Sequence, residues 1–389
     1  MIVCDLTHAY TPTSGGIRTY IDAKRRYVLD HTEDTHVLVI PGEEDTVERG
    51  ERWVTVRIKS PVIPGAAPYR FFLRRGAIVE ALTEARPDVT ELNSLYFEPW
   101  AAFRYREQHP STLVSGYYFT DVPGAYIGPA VRGAVGDWIG AKAERTAERY
   151  IRRVFDQCDI RCAPSPAQAE RLTRIGVEDV NVIVPGVDLE TFAPERVEPE
   201  LRTKFGIPEN GLMLFYGGRL DSEKRIYTMT EAVAQVNARR PAKLVMAGNG
   251  PYRDDLETRA DSGEPFVVLP YQTDKLALAS LMATADLYLT AGPHETFALS
   301  VVEAQACGLP VVGVAAGALV ERVHEGIGRL GPVDDAEAMA ANILAVANQL
   351  EAMGAASRCH VEERFSWKAT FDALFDVYRA ALASQVTAA

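Results

Sequence analysis

The sequence predicts an α/β protein of two doubly wound domains, each a parallel sheet with helices on both faces. Three observations lead there. Short apolar runs alternate along the whole chain with segments of three-to-four periodicity, the pattern of strands joined by crossover helices. At 389 residues the chain exceeds what a single hydrophobic core usually supports. The alternation also starts afresh after an acidic, proline-containing stretch at 195–199, which reads as a linker.

In the first half, an apolar strand at 2–6 leads through a loop at 7–15 into a helix at about 16–29. Ile17, Tyr20, Ile21 and Val28 share one face of that helix, and Arg18, Lys24 and Arg25 the other. Strands follow at 37–40, 53–58, 89–92 and 112–114, with helical patterns near 70–84 and 99–108. A long helix closes at 149–155, a strand occupies 160–163, and a helix at 166–175 is capped by Gly176. A strand at 182–184 and an exit turn at 185–194 end this half. The second half runs through strands at 212–216, 243–247, 267–269 and 287–290, with helices at 226–239, 252–260 and 275–284 between them. The stretch 291–312 then reads as loop, helix and strand. Residues 296–306 lack Gly and Pro, Gly308 suits a left-handed turn at the helix end, and Pro310 stops the helix. Helices at 336–356 and 367–382 complete the chain.

A hydrophobic content of 47% with 24% charged residues belongs to a folded globular chain, not a disordered one. The net charge of -12 argues against a general nucleic-acid binder, which needs a basic surface to neutralise phosphates. Cys4, Cys158, Cys162, Cys307 and Cys359 are odd in number and scattered, and no further ligand stands at zinc-site spacing from Cys158 and Cys162. They read as buried thiols in a reducing compartment. Residues 1–5 enter a strand without a basic region and apolar core, so the expectation is a cytoplasmic protein without a secretory signal. The segment 297–320 carries only the charge of Glu303 and has the length of a membrane span, but Gly308, Pro310 and Gly313 break it into a buried helix and strand.

Glu295 and Glu303 are eight residues apart, which on one helix is roughly 12 Å, too wide for the carboxylate pair of a retaining glycosidase. Two hydroxyl-binding points along one elongated ligand fit that spacing better, with the amides at 296–299 free to receive a phosphate between them. Together these suit a sugar nucleotide. A helix-dipole carboxylate followed by a solvated one fits the spacing equally well. The turn 217–225 stands at a strand end, where doubly wound sheets bind ligands. Its Arg219 and Lys224 would hold a diphosphate without a metal, or else pair with Asp221 and Glu223. Gly15 and Gly16 let a backbone approach a phosphate or sugar closely before a helix start. No D-x-D pair is present, so no metal and no cofactor are expected.

At this point the residues add up to a family. Gly15-Gly16, 185–188 (PGVD), Gly218-Arg219-Leu220 with Glu223-Lys224, 248–251 (GNGP), Glu295 with Glu303, and 365–367 (FSW) together resemble retaining glycosyltransferases of the GT-B fold, family 4. The resemblance covers nearly the whole chain in order, and 292–312 is its most specific piece. It implies two Rossmann-like domains facing across a cleft: 1–188, acceptor-binding and joined by the helix at about 367–389, and 189–366, donor-binding. It also implies that Arg219 and Lys224 bind the donor diphosphate, Glu303 the ribose and Glu295 the transferred sugar. The amides of Phe297, Ala298 and Leu299 would meet sugar and phosphate, Gly16 would close on the phosphate, and Leu269 to Tyr271 would line the base pocket. The departing phosphate takes the acceptor proton in such enzymes, so no protein nucleophile is needed.

Two departures from the family pattern stand out. Where the family often has a His followed by Thr-Asp, this chain reads Phe119-Thr120-Asp121, so any sugar contact of that His is either missing or supplied elsewhere, by Asp121, Tyr118 or His8. Ala298 stands where Gly is frequent, and its methyl would crowd the donor sugar. The expected reaction moves a hexose from a UDP- or GDP-sugar to an acceptor, a glycolipid or cell-envelope glycan precursor. The alternatives are a small soluble acceptor and a silent nucleotide-sugar-binding subunit. Tyr69 to Arg75 mixes aromatic and basic residues, and Arg145, Arg149 and Arg152 share a helical face, which together suggest peripheral contact with a membrane surface.

Overall fold

Alternating side chains of the first strand, β1 (Ile2–Leu6), set the layering of the first unit: Val3 faces one apolar core, Cys4 and Leu6 the other. The computed structural model describes residues 1–11, 15–64, 67–121 and 137–388. They fall into two units, Met1–Pro185 with Trp367–Ala389, and Gly186–Ser366.

After β1 the first unit continues through α1 (Gly16–His31), β2 (Thr35–Gly42), β3 (Thr46–Arg49), β4 (Trp53–Lys59), α2 (Arg75–Ala85), β5 (Val89–Leu92), α3 (Pro99–Gln108), β6 (Leu113–Tyr117), α4 (Asp137–Phe155), β7 (Ile160–Ala163), α5 (Pro166–Arg174) and β8 (Val180–Val182). The sheet order is β3-β4-β2-β1-β5-β6-β7-β8, parallel except for the β3–β4 pair. From β1 the chain works outwards to β4, then returns to place β5 on the other side of β1. The strand order therefore reverses between β1 and β5. The helix expected near 70–84 begins at Arg75, because Arg70 bridges Val62 in an extended strip and Phe72 inserts into the core.

The second unit comprises α6 (Glu200–Lys204), β9 (Leu212–Gly217), α7 (Ile226–Asn237), β10 (Ala242–Ala247), α8 (Arg253–Asp261), β11 (Phe266–Leu269), α9 (Lys275–Thr284), β12 (Leu287–Leu289), α10 (Leu299–Ala306), β13 (Val311–Val314), α11 (Leu319–Arg322), β14 (Gly328–Gly331), α12 (Ala336–Val346) and α13 (Leu350–Arg364). Its sheet, β11-β10-β9-β12-β13-β14, is parallel throughout and reverses order between β9 and β12. The stretch expected as a linker, 195–199, lies inside this unit, where Glu198 N–H donates to Thr284 Oγ1 of α9 at 2.9 Å. The single helix expected at 336–356 is two, interrupted at 347–349, where Asn348 favours a turn over a helix interior.

The last helix, α14 (Trp367–Ala388), belongs to the first unit. Its Phe371, Leu374, Phe375 and Tyr378 pack with Tyr20, Ile21 and Val28 of α1 on one face of the sheet. Beneath this aromatic layer lies a buried charge cluster. Lys24 Nζ donates to Asp5 at 2.7 Å and to Glu91 at 2.9 Å, and His36 Nε2 lies 2.7 Å from Asp5 Oδ2. Tyr378 and Tyr20 donate to Glu91. Four of the five cysteines are buried as expected, but Cys359 on α13 is exposed.

Candidate active site

The second unit brings its charged residues to the end of β9, at the point where the strand order reverses. Tyr216 OH donates to the Arg219 carbonyl at 2.8 Å, and the Asp221 side chain accepts from the Lys224 N–H at 3.2 Å, so both flanks of the turn are pinned. The neighbouring loop after β10 presses against it. A side chain at Gly248 would stand 1.9 Å from the Gly218 carbonyl, so only glycine permits this approach. Arg219 is 43% exposed and pairs with Asp221 and Glu223, while Lys224 Nζ lies 3.2 Å from Glu223 and 2.6 Å from Glu295 Oε1. The two readings left open for this turn thus coexist: the cations pair locally, and Lys224 also reaches across to Glu295. Burial alone would pull the Lys224 pKa down, but Glu295 and Glu223 outweigh it, and the pKa lies above the ordinary lysine value. Burial pushes the Glu223 carboxyl up, and Lys224 and Arg219 more than reverse that.

Glu295 sits in the loop after β12, four residues before the helix. The expectation of a helix from 296 with both carboxylates on it is corrected here: α10 starts at Leu299. The cause is Ala298, which holds φ 62° and ψ 56°, a left-handed conformation that no helix interior continues. The left-handed backbone, more than its methyl, accounts for a preference for glycine at this position. The amides that open α10 are therefore those of Leu299 and Ser300, since Val301 and Val302 N–H already donate to the Ala298 carbonyl. The loop itself is held from behind. Ala318 N–H donates to the Glu295 carbonyl at 2.8 Å, and the guanidinium of the buried Arg322 donates to the Phe297 carbonyl, 4.4 Å above the Phe297 ring. Gly317 makes this possible, with φ 55° and its Cβ position 2.7 Å from the Glu295 carbonyl.

Glu303 lies one turn into α10, 8% exposed, and no described side chain is recorded donating to it. Burial pushes its carboxyl up to about 7, opposed by Lys275 at the start of α9. Leu269 ends β11, with its carbonyl receiving Gly248 N–H and Arg253 Nη1, and the partly buried Tyr271 follows in the loop towards Lys275. The strand-end region of the second unit thus carries paired charge at Arg219, Lys224 and Glu295, and a buried carboxyl at Glu303.

In the first unit, Gly15 and Gly16 are exposed at the start of α1, and a Cβ at either would meet nothing within 4 Å. Neither has a positive φ. The fold itself does not demand glycine at these two positions. Asp121 follows β6, buried, and its carboxylate accepts from Tyr118 OH and Arg171 Nε, both at 2.9 Å. Arg171 also approaches Glu144 and Glu148 of α4 within 4 Å. Those contacts tie α4 and α5 to the end of β6. Phe119 stacks on Tyr117 at 3.9 Å and meets Tyr20 edge-on. Sequence reasoning missed Tyr216, Asp221 and Arg322 as supports of the loops, and Lys275 beside Glu303. Only Asp221, three residues before Lys224, carried a local signal, that of a capping aspartate.

Comparison with known proteins is consistent along the chain. The family model for glycosyl transferases group 1 matches residues 197–357, and that for glycosyltransferase family 4 matches residues 14–191. The chain is 32% identical over 326 residues to a GDP-mannose-dependent α-(1-6)-phosphatidylinositol dimannoside mannosyltransferase of Mycobacterium tuberculosis, covering 82% of this chain and 81% of that protein. It is 28% identical to a GDP-mannose-dependent α-mannosyltransferase of Mycolicibacterium smegmatis, covering 98% of each. A D-inositol 3-phosphate glycosyltransferase of Saccharomonospora viridis is 31% identical over 251 residues, of which this chain spans 58%. Among solved structures, sucrose-phosphate synthase of Thermosynechococcus elongatus aligns with a TM-score of 0.77 at 20% identity, covering 98% of this chain and 99% of that one. HepE of Anabaena, crystallised with UDP and glucose, aligns at 0.73 and 18% identity, covering 96% and 98%. These neighbours have the GT-B fold, and the likeness shows that fold for this chain.

Proposed function

This chain belongs to glycosyltransferase family 4, the group 1 glycosyl transferases, and we propose that it moves mannose from GDP-mannose to an inositol-containing glycolipid or related envelope glycan precursor, with retention at the anomeric carbon. The observation that carries the glycosyl-transfer reading is the Lys224–Glu295 pair at the β9/β12 reversal, inside the segment matched by the group 1 model. Lys224 and Arg219 would take the donor diphosphate and stabilise it as it leaves, which is where preorganised charge contributes most. Glu295 would bind a sugar hydroxyl, Glu303 and the Leu269–Tyr271 edge the nucleoside, and Gly15 and Gly16 a phosphate. The amides of Leu299 and Ser300 would join those of Phe297 and Ala298 at the phosphate. Two cations on the diphosphate do what a divalent ion does elsewhere, so we propose a metal-independent reaction. The choice of GDP-mannose and of a lipid acceptor follows the relatives, not the site.

One surface feature supports a lipid acceptor. On α4, Trp138, Lys142, Arg145, Arg149 and Arg152 are all exposed and spaced four, three, four and three residues apart, one stripe of a helix on an otherwise acidic protein. Among the described residues no helix is long and apolar enough to cross a membrane, so contact would be peripheral. The 69–75 stretch contributes less than its composition suggests, because Arg70 and Arg74 pair with Glu43 and Asp45. The test is transfer of radiolabelled mannose from GDP-mannose to phosphatidylinositol mannosides in mixed micelles, with UDP-glucose and EDTA arms. Product in the lipid phase with an α linkage, undiminished by EDTA, is expected. Exclusive use of UDP-glucose overturns the donor assignment. Exclusive transfer to soluble inositol phosphate favours the second reading, which the D-inositol 3-phosphate glycosyltransferase relatives suggest.

A further inference from the structure

Where the strand order reverses in the first sheet, beyond the carboxyl ends of β1 and β5, a second polar cluster is built. Glu98, fully buried immediately before α3, accepts from His8 Nδ1 at 3.2 Å, from Ser94 Oγ, and from Phe97 N–H at 2.8 Å. Ser94 Oγ lies 3.0 Å from Thr7 Oγ1 and accepts His8 N–H at 3.1 Å. Burial pushes the Glu98 carboxyl up, but His8 and Ser94 more than offset it, leaving it below the ordinary value and ionised. An ionised carboxylate only accepts hydrogen bonds, so Nδ1 carries a proton, and in the neutral ring Nε2 is left with a lone pair. Among the described residues, no partner is recorded for Nε2. The ring stands edge-on to Tyr96 at 4.6 Å and 6.5 Å from Tyr69, and Tyr96 and Phe97 are about two-fifths exposed.

A histidine whose sole task is to satisfy Glu98 needs neither an unpartnered second nitrogen nor a partly exposed aromatic neighbour. An acceptor atom beside aromatic rings instead suits a ring with many hydroxyls: its C–H faces can lie on an aromatic while one hydroxyl donates to the nitrogen. Open α/β sheets take ligands at such reversals. We propose that His8 Nε2, oriented by Glu98 and flanked by Tyr69 and Tyr96, receives a hydroxyl hydrogen of the acceptor, a cyclic polyol or sugar. This rests on the glycosyl-transfer reading above and names a site for its second substrate.

The experiment uses full-length protein carrying ¹⁵N-labelled histidine, with myo-inositol and methyl α-mannopyranoside as soluble probes. The His8 signals, identified by their loss in His8→Ala, are expected to show the Nδ1-protonated tautomer and to shift saturably as a probe is added. His8→Ala is expected to weaken probe binding about tenfold, the scale of one buried hydrogen bond and its ring contacts, with unchanged GDP-mannose affinity by calorimetry. His8→Gln keeps a donor for Glu98 and an outward acceptor, so it should restore most of the binding. An Nε2-protonated tautomer, equal probe affinity in the alanine variant, or no saturable response to either probe overturns the proposal. The two readings fail separately. Probe binding through His8 with no transfer from GDP-mannose removes the transfer reading and leaves this site standing, whereas transfer with an unaltered acceptor KM in His8→Ala does the reverse.

Discussion

The two sheets reverse strand order in the same way, yet they handle charge at that point in opposite fashion. In the second unit, Arg219, Lys224, Glu223 and Glu295 are closely paired but stand partly exposed at the strand ends. In the first unit the charges lie deeper, with Lys24, Asp5, Glu91 and His36 all fully buried. The rim above them is aromatic, with one oriented imidazole. Charge at a strand end serves a ligand when water and anions reach it, and serves the fold when they do not.

The largest test of that contrast is Lys24→Met. Removing the cation leaves Asp5 and Glu91 buried without their shared partner, which should cost about 3–5 kcal/mol of unfolding free energy in urea. An unchanged midpoint would mean the buried cluster is no part of the framework. Lys224→Ala should leave folding nearly intact but lower turnover by about 10² to 10³, the cost of one preorganised charge on a leaving group. A normal rate would move the diphosphate clamp elsewhere.

Between these extremes lies Glu303, a buried carboxyl on the exposed-charge side. Its native pKa of about 7 stands above the ordinary 4.5, so between those pH values the folded state holds a proton that the unfolded state has released. The Glu303 contribution to stability of the ligand-free protein should therefore fall as pH rises through that window, by roughly 3 kcal/mol in all, and level off above it. Glu303→Gln should flatten this slope and be the more stable protein at about pH 8, read by urea titration at several pH values. The same slope in both proteins would show that the carboxyl is better solvated than its burial implies. The smallest effect is expected from Ala298→Gly. Relief of a left-handed alanine should raise stability by about 1 kcal/mol, and a loss would show that the methyl packs usefully.

How far the sequence revealed these features follows from how each is assembled. The charged motifs of the second unit were legible because Gly217 to Arg225 and Gly292 to Val312 are each continuous and open on a strand end. The extent of α10 was not, because an alanine in a left-handed backbone leaves no mark in composition. Lys24 reads locally as the polar face of an amphipathic helix, and only the approach of β1, β2 and β5 turns it into a buried partner. His8 and Glu98 are 90 residues apart and neither lies in a motif, so their pairing emerges only once β1 and β5 are adjacent. Most strands were found within a residue or two, but β3 and β14 were missed, being short and poor in alternating apolar residues.

The return of α14 to the first unit has a consequence for how the molecule is made. Residues 186–366 form a contiguous unit and have every strand of their sheet as soon as they leave the ribosome. The first unit, although begun earlier, lacks Phe371, Phe375 and Tyr378 until α14 emerges, so one face of its sheet and the phenol donor to Glu91 wait until the second unit has been made. The unit begun first is therefore the one completed last, with the contiguous second unit inserted between its two pieces.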